Sequence, residues 1–225
     1  MTQLGLARAG SQKWIQVAVN WKPELLLSAL QKSGAIERHT SVTWRSPLEM
    51  DSFHEYRDGE ALRRAGISDL GVPLSSFWPR RGPVWDAIGI TTEGVPLFIE
   101  AKAHIPEAAS PASKASPASL DLINRSLAKA RRFYAPKATA DWSNLFYQYA
   151  NRLAHQYFLR ELNGIPSFLI FLYFLNDDER DGPKHEAEWQ GASRLIHAVL
   201  GVPADLTSHG VFDAVLDIRP LQKVV

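Results

Sequence analysis

The sequence predicts a single α/β domain with a mixed central sheet flanked by helices. Three observations predict it. Amphipathic segments at helical spacing alternate with short β-rich runs along the chain. Two of those runs, VWDAIGI and VPLFIEAKAH, are joined by the turn-forming TTEG and read as an antiparallel hairpin. A third, IPSFLIFLYFL, is continuously apolar, as a strand covered on both faces must be. At 225 residues with 45% hydrophobic content, the chain suits one domain with a substantial core. That domain is expected to span residues 1–225, with residues 1–50 as an N-terminal extension packed on the core.

Taken in order, Pro23 and the following ELLLSALQ start a helix, with Leu26, Leu27 and Leu30 on one stripe and Gly34 as the stop. SVTWRSPL gives a short strand ended by Pro47. Asp51 to Arg64 reads as a helix capped by Asp51 or Ser52, with Gly66 past its end and Glu55 and Leu62 on one face. Leu74 to Trp78 reads as a strand, and WPRRGP as the loop leading into the hairpin. Residues 105–119 shift to Ala, Ser and Pro, with SPAS occurring twice, and the stretch from Ala108 to Ala118 is expected to be mobile. SLDLINRSLAKARRFY then forms a helix with Ser119 as its cap. A longer helix runs from about Trp142 to Leu162, EAEWQGASRLIHAVL forms another that ends at Gly201, and VFDAVLDI is the last strand.

Composition excludes several function classes. With 25 Lys and Arg against 24 Asp and Glu, the molecule has no overall field to hold a polyanion, so any nucleic-acid contact must come from a local patch. The absence of cysteine removes disulfides, thiolate nucleophiles and Cys-ligated zinc, and fits a reducing compartment. MTQLGLARAGSQKW lacks the apolar core of a signal peptide, and the longest apolar run, Phe168 to Leu175, falls far short of the roughly 20 residues that span a bilayer. A cytoplasmic protein without membrane partners is expected. There is no P-loop, GxGxxG, HExxH or GxSxG motif. Asp177, Glu179, Asp181, Gly182 and Glu188 approximate an EF-hand loop, but the preceding element is a strand and Pro183 and Lys184 interrupt the pattern, so a solvated acidic turn is expected.

The chemistry-bearing residues lie on the hairpin. Glu100 and Lys102 are two apart on a strand and share a face, and Asp86 lies fourteen residues upstream on the neighbouring strand. Two carboxylates buried side by side need a cation, and hard oxygen ligands suit Mg²⁺ or Mn²⁺. Lys102 beside such a site is placed to act on an attacking water or on phosphoryl charge. The plain alternative is a partly buried ion network in which Lys102 only pairs with Glu100 or Asp86.

In WPRRGPVWD, in Glu100-Ala101-Lys102, and in the two helices and buried strand that follow, the region from Asp51 to Leu175 resembles the PD-(D/E)xK nuclease superfamily. The resemblance implies a restriction-endonuclease-like core and a Mg²⁺- or Mn²⁺-dependent nuclease acting on DNA, with RNA left open and a homodimer allowed. It assigns metal ligation to Asp86 and Glu100, with the carbonyl of Ala101 as an extra ligand, and catalysis to Lys102. Glu55 matches the acidic residue that many members take from the preceding helix, and Asp58 is second choice. Two departures stand out: Trp85 occupies the place of the proline, and Gln148 leads to Arg152 rather than to a tyrosine.

For substrate contact, Arg80 and Arg81 lie close to Asp86, and the basic helix face carrying Arg125, Lys129, Arg131 and Arg132 can meet phosphates or simply solvent. Gln148, Asn151, Arg152 and His155 form a polar stripe on an otherwise apolar helix. Such a stripe either lines the site or bonds neighbouring backbone. A catalytically inactive nuclease-fold module for nucleic-acid binding or assembly is the alternative function.

Overall fold

The β-rich runs pair into one five-stranded sheet in a computed structural model that describes residues 5–225. Residues 1–4, part of both the expected domain and the leader-peptide reading, lie outside the described residues. The strands are β1 (Val42–Ser46), β2 (Ala87–Thr91), β3 (Pro96–Lys102), β4 (Phe168–Leu175) and β5 (Val211–Asp217), and they lie in that order across the sheet. β1, β2 and β3 are antiparallel neighbours, whereas β3, β4 and β5 run parallel, so the sheet is mixed. Within the β2–β3 hairpin, Ala87 pairs with Ile99 and Ile88 with Phe98. β3 is buried along its whole length, as expected of a strand with neighbours on both edges and helices on both faces.

Each face of the sheet has its own core. On one side Ile88, Phe98, Phe171 and Tyr173 pack under α6 (Pro117–Tyr134), α7 (Tyr147–Tyr157) and α8 (Glu186–Leu200). On the other, Ala87, Ile99, Ala101, Leu172 and Phe174 are covered by α1 (Gly10–Trp21) and α2 (Pro23–Lys32). Residues 10–46 therefore provide one complete layer and an edge strand, and are not an appendage to a finished core. Helix α1 was not anticipated from the sequence. Its buried residues include Ile15, Val17 and Val19, β-branched types that weaken local helix preference, and burial against the sheet overrides that preference.

Several boundaries differ from the sequence reading. The helix expected from Asp51 is interrupted by left-handed backbone at Ser52, Phe53 and Asp58, and its helical part, α3, covers only Asp58–Arg64. Leu74–Phe77 is a single helical turn, α4, and not a strand; Pro73 leads it in extended conformation, and Phe77 is anchored in the core. Ile105–Ala108 forms another turn, α5. Helix α6 is capped by Ser116 rather than Ser119, the Ser116 side chain accepting from the Ser119 amide at 3.4 Å. Helix α7 starts at Tyr147, after left-handed Phe146, and continues as a π-helical turn over Phe158–Leu162. The stretch expected to be mobile is pinned at two points: the Ser110 hydroxyl accepts from the Gln148 amide at 2.8 Å, and the Ser113 amide donates to the Ser143 carbonyl at 3.0 Å. The remaining expectations for α2, α8 and β5 agree with the structure, including the left-handed Gly201 that stops α8.

Candidate active site

Backbone pairing assembles the acidic residues. Trp85 donates its amide to the Tyr56 carbonyl at 3.0 Å, and this isolated antiparallel bridge sets Glu55 beside Asp86. Glu55 thus reaches the site from an extended segment, not from the helix on which it was expected. Asp86 lies just before β2, where its amide bonds the Ile99 carbonyl at 3.1 Å and its carboxylate accepts from the Ala101 amide at 2.6 Å. Glu100 and Lys102 project from β3 on the α7 side of the sheet and are 3% and 7% exposed. The Lys102 ammonium donates to Glu100 Oε1 at 2.5 Å and to Gln148 Oε1 at 3.0 Å.

Arg152 has a different role from the substrate contact expected of it. It is buried, donates from Nε to Glu100 Oε2 at 2.7 Å, bonds the Val84 carbonyl at 2.8 Å, and lies over the Trp85 ring at 4.8 Å. Its guanidinium holds Glu100 and the strand leading to Asp86, so it positions the site while also lining the cleft. Gln148, one helical turn earlier on α7, does line the cleft and steadies Lys102.

Electrostatics divide the carboxylates. Burial, then the charges of Glu100 and Glu55, hold Asp86 well above the usual carboxylate range, against the opposing pull of Lys102 and the Ala101 amide. Burial also works to raise Glu100, but Arg152 and then Lys102 outweigh it and keep Glu100 below that range. Glu55 is raised by burial, with a hydrogen bond from Gln12 at 3.1 Å opposing. Burial tends to discharge Lys102, yet Glu100 and Asp86 reverse this and leave it a firm ammonium. Asp86 is therefore the carboxyl of the site whose negative charge is least compensated.

These residues form the floor of a cleft of about 530 Å³. Its walls come from the first turn of α1 at Ser11 and Gln12, the loop at Arg81–Val84, the segment Pro111–Lys114, and Tyr147. Glu107 links two walls, accepting from the Ala103 amide at 2.8 Å and from the Ser11 hydroxyl at 2.5 Å. Of the basic residues expected to contact substrate, Arg81 lines the cleft together with Arg152. Arg80, Lys129 and Arg132 are exposed elsewhere and do not line it. Asp58 is also not part of the floor: its carboxylate accepts from the amides of Arg81 and Gly82 at 3.0 and 2.8 Å, and so shapes a wall. Gln12, Lys114 and Tyr147 carry no local motif, and only tertiary packing delivers them here.

Among the described residues, no group of three or more Asp, Glu or His side chains is gathered tightly enough to cage a cation. The oxygen donors present are of the type a hard divalent ion takes: Asp86 keeps one carboxylate oxygen free of hydrogen bonds, and its negative charge is the least compensated in the site. Glu100 oxygens that accept from Lys102 and Arg152 retain further lone pairs. Comparison of the chain with protein-family models, with curated proteins and with solved structures finds no match, and the chemistry of this cleft is read from its own geometry.

Proposed function

We propose that the protein is a Mg²⁺- or Mn²⁺-dependent nuclease of restriction-endonuclease-like fold that hydrolyses phosphodiester bonds in DNA. The observation that carries this reading is the unbalanced Asp86, set between Glu55 and Glu100 with the Lys102 ammonium alongside. Asp86 and Glu100 would hold the ion, with Glu55 and the Ala101 carbonyl completing the oxygen set. A bound Mg²⁺ supplies Lewis-acid polarisation and a more acidic water. Lys102, kept charged by its neighbours, is suited to stabilising negative charge on the phosphoryl oxygens rather than to removing a proton. Arg152 and Gln148 fix the side chains of Glu100 and Lys102, so little reorganisation is needed as charge develops.

A second reading, a nuclease-fold module that binds or assembles without cutting, has one observation in its favour: both Glu100 oxygens already accept from cations. Titration with Mn²⁺ by calorimetry, paired with cleavage assays on DNA and RNA, separates the two. The nuclease reading expects binding that is lost in Asp86→Ala and Mn²⁺-dependent cleavage by the wild type. Equal heats for wild type and Asp86→Ala, with no substrate cut, would leave the scaffold reading.

A further inference from the structure

We propose, resting on the nuclease reading, that the cleft takes a single-stranded polynucleotide and does not act on continuous duplex. Shape limits what the cleft can admit. The carboxylates lie at the bottom of a pit of about 530 Å³ walled on several sides by α1, the Arg81–Val84 loop, Pro111–Lys114 and Tyr147. That volume falls within the roughly 300–1,000 Å³ typical of sites that enclose a small ligand, enough for a nucleotide unit but not for a double helix. With Glu100 and Lys102 only 3% and 7% exposed, a scissile phosphate must descend to reach them. A duplex backbone, stiffened by its own base pairs, cannot descend between the walls; an unpaired strand can bend into them.

Charge sets a second limit. Of the four cations lining the cleft, Lys102 and Arg152 are committed to Glu100, which leaves Arg81 and Lys114, both exposed near the rim. Among the described residues neither forms an ion pair, so both are free to meet phosphates. Proteins that hold duplex typically neutralise about 6–10 phosphates, a number this cleft cannot approach. Two phosphates of a short strand match the supply. Tyr147 adds a stacking platform: it is half-buried and lines the same cleft, and base–aromatic stacking is how unpaired strands are held without sequence preference.

The test uses the full chain and labelled oligonucleotides of one sequence: single-stranded, blunt duplex, and duplex with a single-stranded overhang. Binding is read by fluorescence anisotropy in chelator, and cleavage separately with Mn²⁺. Single strand and overhang are expected to bind at least tenfold more tightly than blunt duplex. The logarithm of affinity should fall against the logarithm of salt with a slope of about −1.4, two contacts at about −0.7 each, dropping to about −0.7 in Lys114→Gln. Tyr147→Ala should weaken single-strand binding about tenfold or more while leaving that slope unchanged. Blunt duplex bound as tightly as single strand, or cut as fast, overturns the inference. Failure to cut any substrate while the single strand still binds selectively would sink the nuclease reading and leave the strand preference standing.

Discussion

Lys102 and Arg152 both bond Glu100, yet their removal should be felt in different measurements. Lys102→Ala leaves Glu100 satisfied by Arg152, so on the proposed nuclease reading the fold and Mn²⁺ binding should persist while cleavage falls about 100-fold or more, the scale of losing one preorganised charge-stabilising group. Arg152→Ala strips Glu100 Oε2, the Val84 carbonyl and the Asn151 side chain of their common donor, and breaking a buried pair in this way should cost about 3–5 kcal/mol in urea unfolding. Equal activity of Lys102→Ala and wild type would refute the assignment of Lys102. His155 offers a pH signature. Packed against Trp78 and Trp85 and bonded to the Asn151 carbonyl, it is lowered by burial from 6.5 to about 4. The unfolded chain then takes up a proton that the folded state refuses, so stability should drop as pH falls from 6.5 to about 4. His155→Gln should flatten the fall over that window; an unchanged pH profile of melting temperature would contradict the argument.

At the scale of elements, the hairpin carrying Asp86, Glu100 and Lys102 was legible because its information is local: alternation, one turn, and spacing by two. What the sequence hid depends on elements meeting across the fold. Nothing near Arg152 says that α7 will place it over Trp85, and nothing near Gln12 announces Glu55. Glu55 itself was identified from a helix that does not extend to it, and it arrives through the Tyr56–Trp85 bridge instead. LSSFW reads as a strand by its apolar residues but is too short for periodicity to decide, and becomes a helical turn. Asp58, a second-choice metal ligand by sequence, instead ties α3 to the Arg81–Gly82 wall. Asp58→Ala should therefore leave Mn²⁺ affinity unchanged and weaken oligonucleotide binding by loosening that wall. A parallel loss of Mn²⁺ binding would return Asp58 to the metal site.

Across the whole molecule, the sheet is finished only when α1 and α2 cover the face that carries Ile99, Ala101, Leu172 and Phe174. A chain shortened to residues 38–225 should aggregate or lack a cooperative melt by circular dichroism, where an appended extension would be removable; a monomeric, cooperatively folding fragment would refute this. The same architecture separates the charges of the site along the chain. A hairpin brings Asp86 and Glu100 together over a short stretch of chain, whereas Arg152 lies 52 residues beyond Glu100, on the helix of the crossover to β4. Local contacts are expected to close before distant ones, so the hairpin carboxylates should be held at first by Lys102 alone and gain the Arg152 guanidinium later. Replacing Arg152 with Met should mainly hasten unfolding, and replacing Asp86 with Asn should speed refolding, in stopped-flow traces. The guanidinium that steadies Glu100 in the finished protein would then govern how long the fold lasts more than how fast it forms.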